Sequence, residues 1–157
     1  MDASEAILEQ WVARTAESYP RHTAALLSKE QDPFRNPVSE TLRRSLARLL
    51  CELLGEMDAM AIDSALDSII RLQVVQGLAS DDAVRFVFLL EPILQELRPE
   101  RGPAVVDCKI ASGRIDRLAA LVADKYAQCR EQLVRIRANE IERANQVQQR
   151  IFARRPA

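Results

Sequence analysis

The last quarter of the chain limits the possible folds more than any other part. Beyond Gly113 it meets neither glycine nor proline until Pro156. Across that stretch Ile115, Leu118, Val122, Tyr126, Cys129, Leu133, Ile136, Ile141, Ala144, Val147 and Ile151 recur at mostly three- and four-residue steps. That spacing puts them on one side of a helix. A helix from Ser112 onward would run roughly 55 to 60 Å at 1.5 Å per residue, well past the roughly 30 Å of a small domain. Its second half must therefore project or pair with a partner. Asn139 and Glu140 fall where the stripe steps from Ile136 to Ile141. A polar residue in such a seam can set register, and a solvated stretch of helix is the other reading.

Upstream the pattern is also helical. Ile7, Leu8, Trp11, Val12 and Thr15 define a first helix over 4–18, with Ser4 placed to cap it. A short second helix is expected from Pro20 to Leu26 or Leu27. The connection QDPFRNP ends in Asn36 and Pro37, a cap followed by a first-turn proline. A third helix follows to Leu54 and Gly55 and a fourth from Asp58 to Gly77. A fifth runs from Ser80, with Asp81 and Asp82 in its first turn, through Leu97. The fifth is apolar on nearly every side and is expected to be the central helix, kinking or restarting at Pro92. The type of the short element over 105–110 stays open. The fold class is thus all-α, a single helical bundle. Residues 1–113 form the core and 114–157 the long C-terminal helix, whose first half packs on that core.

A chain of 157 residues with 48% apolar and 29% charged residues suits one hydrophobic core. The net charge of −1 offers no general attraction to nucleic acid or to anionic lipid. The most apolar stretch, Phe86 to Leu97, is too short for a bilayer. The N-terminal MDASEAILEQW lacks a signal peptide's basic segment and apolar core. Cys51, Cys108 and Cys129 are far apart and odd in number, without a CxxC pair. They read as free thiols, mostly small packing residues, in a cytoplasmic protein.

Catalytic material is thin. The only histidine, His22, has no HExxH around it, and the four glycines form no phosphate loop. Asp63 and Asp67 share a helix face but lack the Glu-x-x-His repeats of a carboxylate metal bundle. Cys129 beside Arg130 lies on the apolar stripe, which favours packing over reactivity. The chain reads as no enzyme, with no cofactor and no metal.

Two polar constellations remain. Arg71, Gln76, Arg85 and Phe88 lie in the run IIRLQVVQGLASDDAVRFVFLLEPIL. They would line a polar pocket or interface between the fourth and fifth helices; the alternative is that both arginines reach out to solvent. Tyr126, Arg130, Leu133, Ile136, Arg137 and Glu140 would form a dimer helix, in which Arg130–Glu131 and Arg137–Glu140 pair either within one helix or between two and so orient them. The first helix is expected to share in that interface.

The runs DPFRNPVSETLRRSLARLL, ALDSIIRLQVVQGLASDDAVRFVFLLEPIL and YAQCREQLVRIRANEIER, in that order, resemble the N-terminal domain of the RsbRD-type RsbT co-antagonists. These are bacterial regulators related to stressosome proteins. The resemblance covers roughly residues 5 to 143. It implies a domain that senses or transmits an input, dimerises, is globin-like without haem, and leads through a long helix into a STAS domain. The sequence stops at Ala157 without one. The expectation is a stand-alone regulatory or sensory interaction domain, a homodimer, with a signalling or redox protein as a further partner. The alternative is a small-molecule-binding or adaptor module for a redox or metabolic partner protein.

Overall fold

The computed structural model describes residues 3–21, 24, 36–97 and 108–154. The described helices are α1 (Ala3–Glu17), α2 (Pro37–Leu54), α3 (Ala59–Val75), α4 (Ser80–Phe88), α5 (Leu90–Leu97) and α6 (Cys108–Ala153). No strand occurs among the described residues. The architecture is an all-helical bundle with a long C-terminal helix, as the periodicity requires. His22, Phe34, most of the short second helix, the Pro99–Pro103 turn and the side chain of Cys108 lie outside the described residues.

The helix ends follow local chemistry. Asn36 caps α2, its side chain accepting from the Ser39 N–H at 3.1 Å, with Pro37 in the first turn. Asp58 caps α3 by accepting from Ala61 N–H at 3.1 Å. At the far end of α3, Leu78 N–H donates to Gln73 O and Gly77 N–H to Val74 O, both at 3.1 Å. Gly77 takes φ +71° to allow this Schellman closure. Two expected caps are not made. Ser4 lies inside α1, and Ser80 is the first residue of α4 rather than its cap; Ala79 holds the cap position without a side-chain bond.

The expected fifth helix is two. Pro92 has no N–H to offer the Phe88 carbonyl, and its ring crowds that same carbonyl. The ladder therefore stops at Phe88, and a new helix starts at Leu90 with Pro92 in its first turn. Residues 108–110 join the long helix, so that α6 spans 46 residues, about 69 Å.

The core lies between α2, α3, α4 and the first half of α6, with α1 closing it against α2 and α5. Leu46, Leu49, Val87, Ile93, Leu118 and Val122 are fully buried. Trp11 is also fully buried; its indole N–H donates to Phe86 O at 2.7 Å, and its ring stacks on Phe86 at 6.2 Å between centroids. Phe86 sits in the last turn of α4, where carbonyls lack helical donors. Trp11 thus ties α1 to the helix break.

The α2–α3 turn is held from three sides. Arg114 of α6 donates to Leu53 O at 2.7 Å and to Gly55 O at 2.9 Å. The buried Glu52 carboxylate accepts from Asp58 N–H at 2.9 Å. Met57, at φ 57°, takes the left-handed conformation that lets the chain reverse.

Candidate functional site

The buried and exposed parts of α6 share one face. Ile115, Leu118, Val122 and Tyr126 are buried against the bundle. At 3.6 residues per turn they occupy a sector of about 80°, and Leu133, Ile136, Glu140, Ala144, Val147 and Ile151 occupy the same sector further along. Cys129 and Leu133 are half-buried, where the bundle ends. Beyond them every described residue of α6 is exposed. Val134, Ile136, Ile141, Val147, Ile151 and Phe152 are each more than half exposed. Ile136, Val147 and Ile151 lie in that sector, while Val134, Ile141 and Phe152 lie about 100–120° round the helix from its centre; exposed apolar residues on a projecting helix are the usual material of an interaction surface.

Tyr126 marks the base of the apolar stripe, where it packs into its own bundle. Its ring is buried and its hydroxyl donates to Leu78 O, just past the end of α3. Arg130, Ile136, Arg137 and Glu140 are exposed as a docking helix requires. Within one chain Arg130 makes no ion pair among the described residues. Glu131 pairs instead with Arg135, one turn on, at 2.6 Å. Arg137, Glu140, Arg143 and Arg150 make no ion pair among the described residues. On the bundle side of the base, Lys125 of α6 meets Asp63 at 2.7 Å and Asp67 at 3.6 Å, both on α3.

The other constellation does not assemble as a pocket. Arg71 pairs with Asp67 at 2.9 Å and Arg85 with Asp82 at 3.0 Å, each on its own helix and each mostly exposed. Phe88 is 46% exposed. Both arginines thus follow the solvent-reaching reading. The buried polar residue of this region is Gln73, one turn before Gln76. It is 2% exposed, and its Nε2 donates to Ala83 O at 3.0 Å. Gln73 stands three residues after Ile70 on the buried face of α3, which is the signal that would have singled it out. Its Oε1 has no partner, and neither have the buried Tyr19 hydroxyl and Thr15 Oγ1 of the α1 end. Burial pushes the Tyr19 pKa up from 10.0 to about 12, and the adjacent Gln73 side chain acts in the opposite direction.

The first helix keeps Glu5, Glu9, Ala13 and Glu17 exposed on one face. Ile7, Leu8 and Trp11 are spent on the core, and its charges reach neighbouring helices: Arg14 pairs with Glu96 at 2.5 Å and Glu9 with Arg43. Among the described residues, surface clefts of about 250 Å³ accompany the bundle. One lies between α2 and α3, lined by Val38, Leu42, Ile69 and Leu72. Another lies between α3 and α6, lined by Met57, Ile62, Leu66, Arg117 and Leu121. Cys51 is exposed and Cys129 half-buried; both are free thiols. Among the described residues no group of His, Cys, Asp and Glu could hold a metal ion. No described helix is long and apolar enough to cross a membrane.

A small helical bundle with a long projecting helix and an unpaired apolar stripe has the build of a regulatory interaction domain. Comparison with known families names it more closely. The model described as the RsbT co-antagonist protein rsbRD N-terminal domain matches residues 5–141, and the chain belongs to that family. The family is a regulatory, co-antagonist domain and not an enzyme. No curated protein and no solved structure matches the chain.

Proposed function

We propose that this chain is a cytoplasmic signalling domain that works as a homodimer, joined through the projecting half of α6. The observation that carries the reading is the continuity of the α6 stripe. The face that buries Ile115, Leu118 and Val122 runs on through Ile136, Val147 and Ile151, which are each more than half exposed among the described residues. Leaving six large apolar side chains in water along one helix is unfavourable. A helix pairs such a stripe with another helix when one is at hand. In this reading the bundle receives the input and the paired helices pass it to a signalling or redox partner protein. The test is light scattering after size exclusion on the full chain and on an Ile136→Asp/Val147→Asp variant. Dimeric wild type and monomeric variant, with equal helicity per residue, would support the reading. A monomeric wild type at tens of micromolar would sink it.

The clefts beside α3 favour a second reading, a module for a small apolar ligand. Thermal shift against short-chain acids and quinones tests it; a ligand that binds the folded state raises the melting temperature.

A further inference from the structure

We infer that the cleft between α3 and α6 binds a small carboxylic acid, its apolar body in the cleft and its carboxylate against Arg117. The inference rests on the small-ligand reading above and adds which cleft is used and what head group it takes.

Shape selects the body. Ile62 and Leu66 form the floor, 2% and 1% exposed, while Met57 and the 37% exposed Leu121 stand at the sides. All of these side chains are apolar. The volume is about 250 Å³, and an apolar cavity of about 150 Å³ already takes benzene. The cleft therefore has room for one ring with a short arm, or for a short aliphatic chain. Met57 is unbranched and adaptable, so the wall can close on either.

Charge selects the head group. Asp63 lines the same cleft, but its carboxylate is held by Lys125 of α6 at 2.7 Å. Asp67, a turn further along α3, is shared by Lys125 at 3.6 Å and Arg71 at 2.9 Å. Asp58 is taken up by the cap of α3, and Arg114 by the carbonyls of Leu53 and Gly55. Arg117 lines the cleft, is exposed, and makes no hydrogen bond or ion pair among the described residues. Asp58, Asp63 and Asp67 thus have partners within the chain, and a guanidinium is left over at the cleft. Arginine presents paired N–H donors in one plane, the arrangement that a carboxylate accepts as a fork. The α2–α3 cleft, by contrast, is lined by no charged side chain, and nothing in it would tell an acid from an alcohol.

Placement gives the site a consequence. Arg117 and Leu121 are one turn apart on α6, the helix whose far half carries the exposed stripe. A ligand lodged between them and α3 adds contacts across the joint that Lys125 and Asp63 already hold. It therefore acts on the helix that leaves the bundle.

The test uses two acids, phenylacetate and hexanoate, beside their alcohols, phenylethanol and hexanol. Each is titrated at neutral pH into the isotope-labelled full-length chain, and the backbone amide resonances are followed by NMR. The acids should give saturable shifts in the millimolar range or below, centred on residues 57–66 and 117–121. They should bind about tenfold more tightly than the alcohols, the difference expected of a charge-assisted hydrogen bond. Arg117→Gln should erase that advantage and leave the alcohols' affinity unchanged. Ala59→Leu, at the exposed first residue of α3, fills the rim of the cleft and should weaken acid and alcohol alike. Both positions are on the surface, so both variants should keep the wild-type circular dichroism. Equal affinity for acid and alcohol, an acid advantage that survives Arg117→Gln, or shifts centred on residues 37–42 and 68–72 would each overturn the inference and leave the small-ligand reading standing. No saturable shift with any of these probes overturns both.

Discussion

Replacing Trp11 by phenylalanine should lower stability by about 2–4 kcal/mol, and the magnitude has two sources. Trp11 is fully buried, and its indole N–H is the donor that reaches the Phe86 carbonyl at 2.7 Å. Phenylalanine keeps an aromatic ring against Phe86 but offers no donor. The carbonyl sits in the closing turn of α4, beside the break at Leu89, so it is left without that partner in a dry site. Stranding a buried acceptor costs about 1–3 kcal/mol. The lost ring volume of a few tens of Å³ adds about 1 kcal/mol at roughly 24 cal/mol per Å³ of cavity. The assay is urea unfolding followed by circular dichroism, at one fixed protein concentration. With a slope of about 2 kcal/mol per molar, the middle of the usual range, the midpoint should fall by roughly 1–2 M with the slope unchanged. The oligomeric state should not change, because Trp11 lies on the bundle and far along the chain from the α6 stripe. A loss below about 1 kcal/mol would refute the reasoning, since the bond to Phe86 would then contribute less than an ordinary buried hydrogen bond.

Two further substitutions check other parts of the fold. Tyr19→Phe removes a buried hydroxyl without a partner, so at neutral pH chemical denaturation should find it neutral or stabilised by up to about 1 kcal/mol. Tyr19 ionises near pH 10 in the unfolded chain and near 12 in the folded one. Its contribution is intact below pH 10 and is lost as pH rises from 10 to 12, by about 2–3 kcal/mol; that part of the decline should be missing in Tyr19→Phe. Arg114→Met keeps the aliphatic stem but removes both bonds to the α2–α3 turn. It should cost about 1–3 kcal/mol in thermal or urea unfolding and speed hydrogen exchange at residues 55–58.

Much of this was legible in the sequence because helices announce themselves through period and punctuation. Asn36–Pro37, Asp58 and Gly77 mark their boundaries by chemistry that acts within three or four residues. The long helix was legible because nothing in it interrupts the period. The break at Leu89 was harder. A proline acts on the carbonyl four residues before it, so Pro92 ends the helix at Phe88 and not at its own position. Arg71 and Arg85 look buried when read by their neighbours in sequence, but helical phase turns both outward, each toward a carboxylate of its own helix. The same phase turns Gln73 inward and leaves Gln76 at the rim. The continuity of the stripe across Tyr126 points it to the seam. Where the bundle stops covering that stripe depends on how far α3 and α4 reach, and periodicity holds no information on that.

Light scattering after size exclusion, on the full chain and on a version ending at residue 135, bears most directly on the central claim. The account predicts a full-length dimer and a folded monomer after truncation, because Val147 and Ile151 are removed while the bundle face through Tyr126 is kept. A dimer that survives truncation would place the interface on the bundle and contradict the role given to the projecting half of α6.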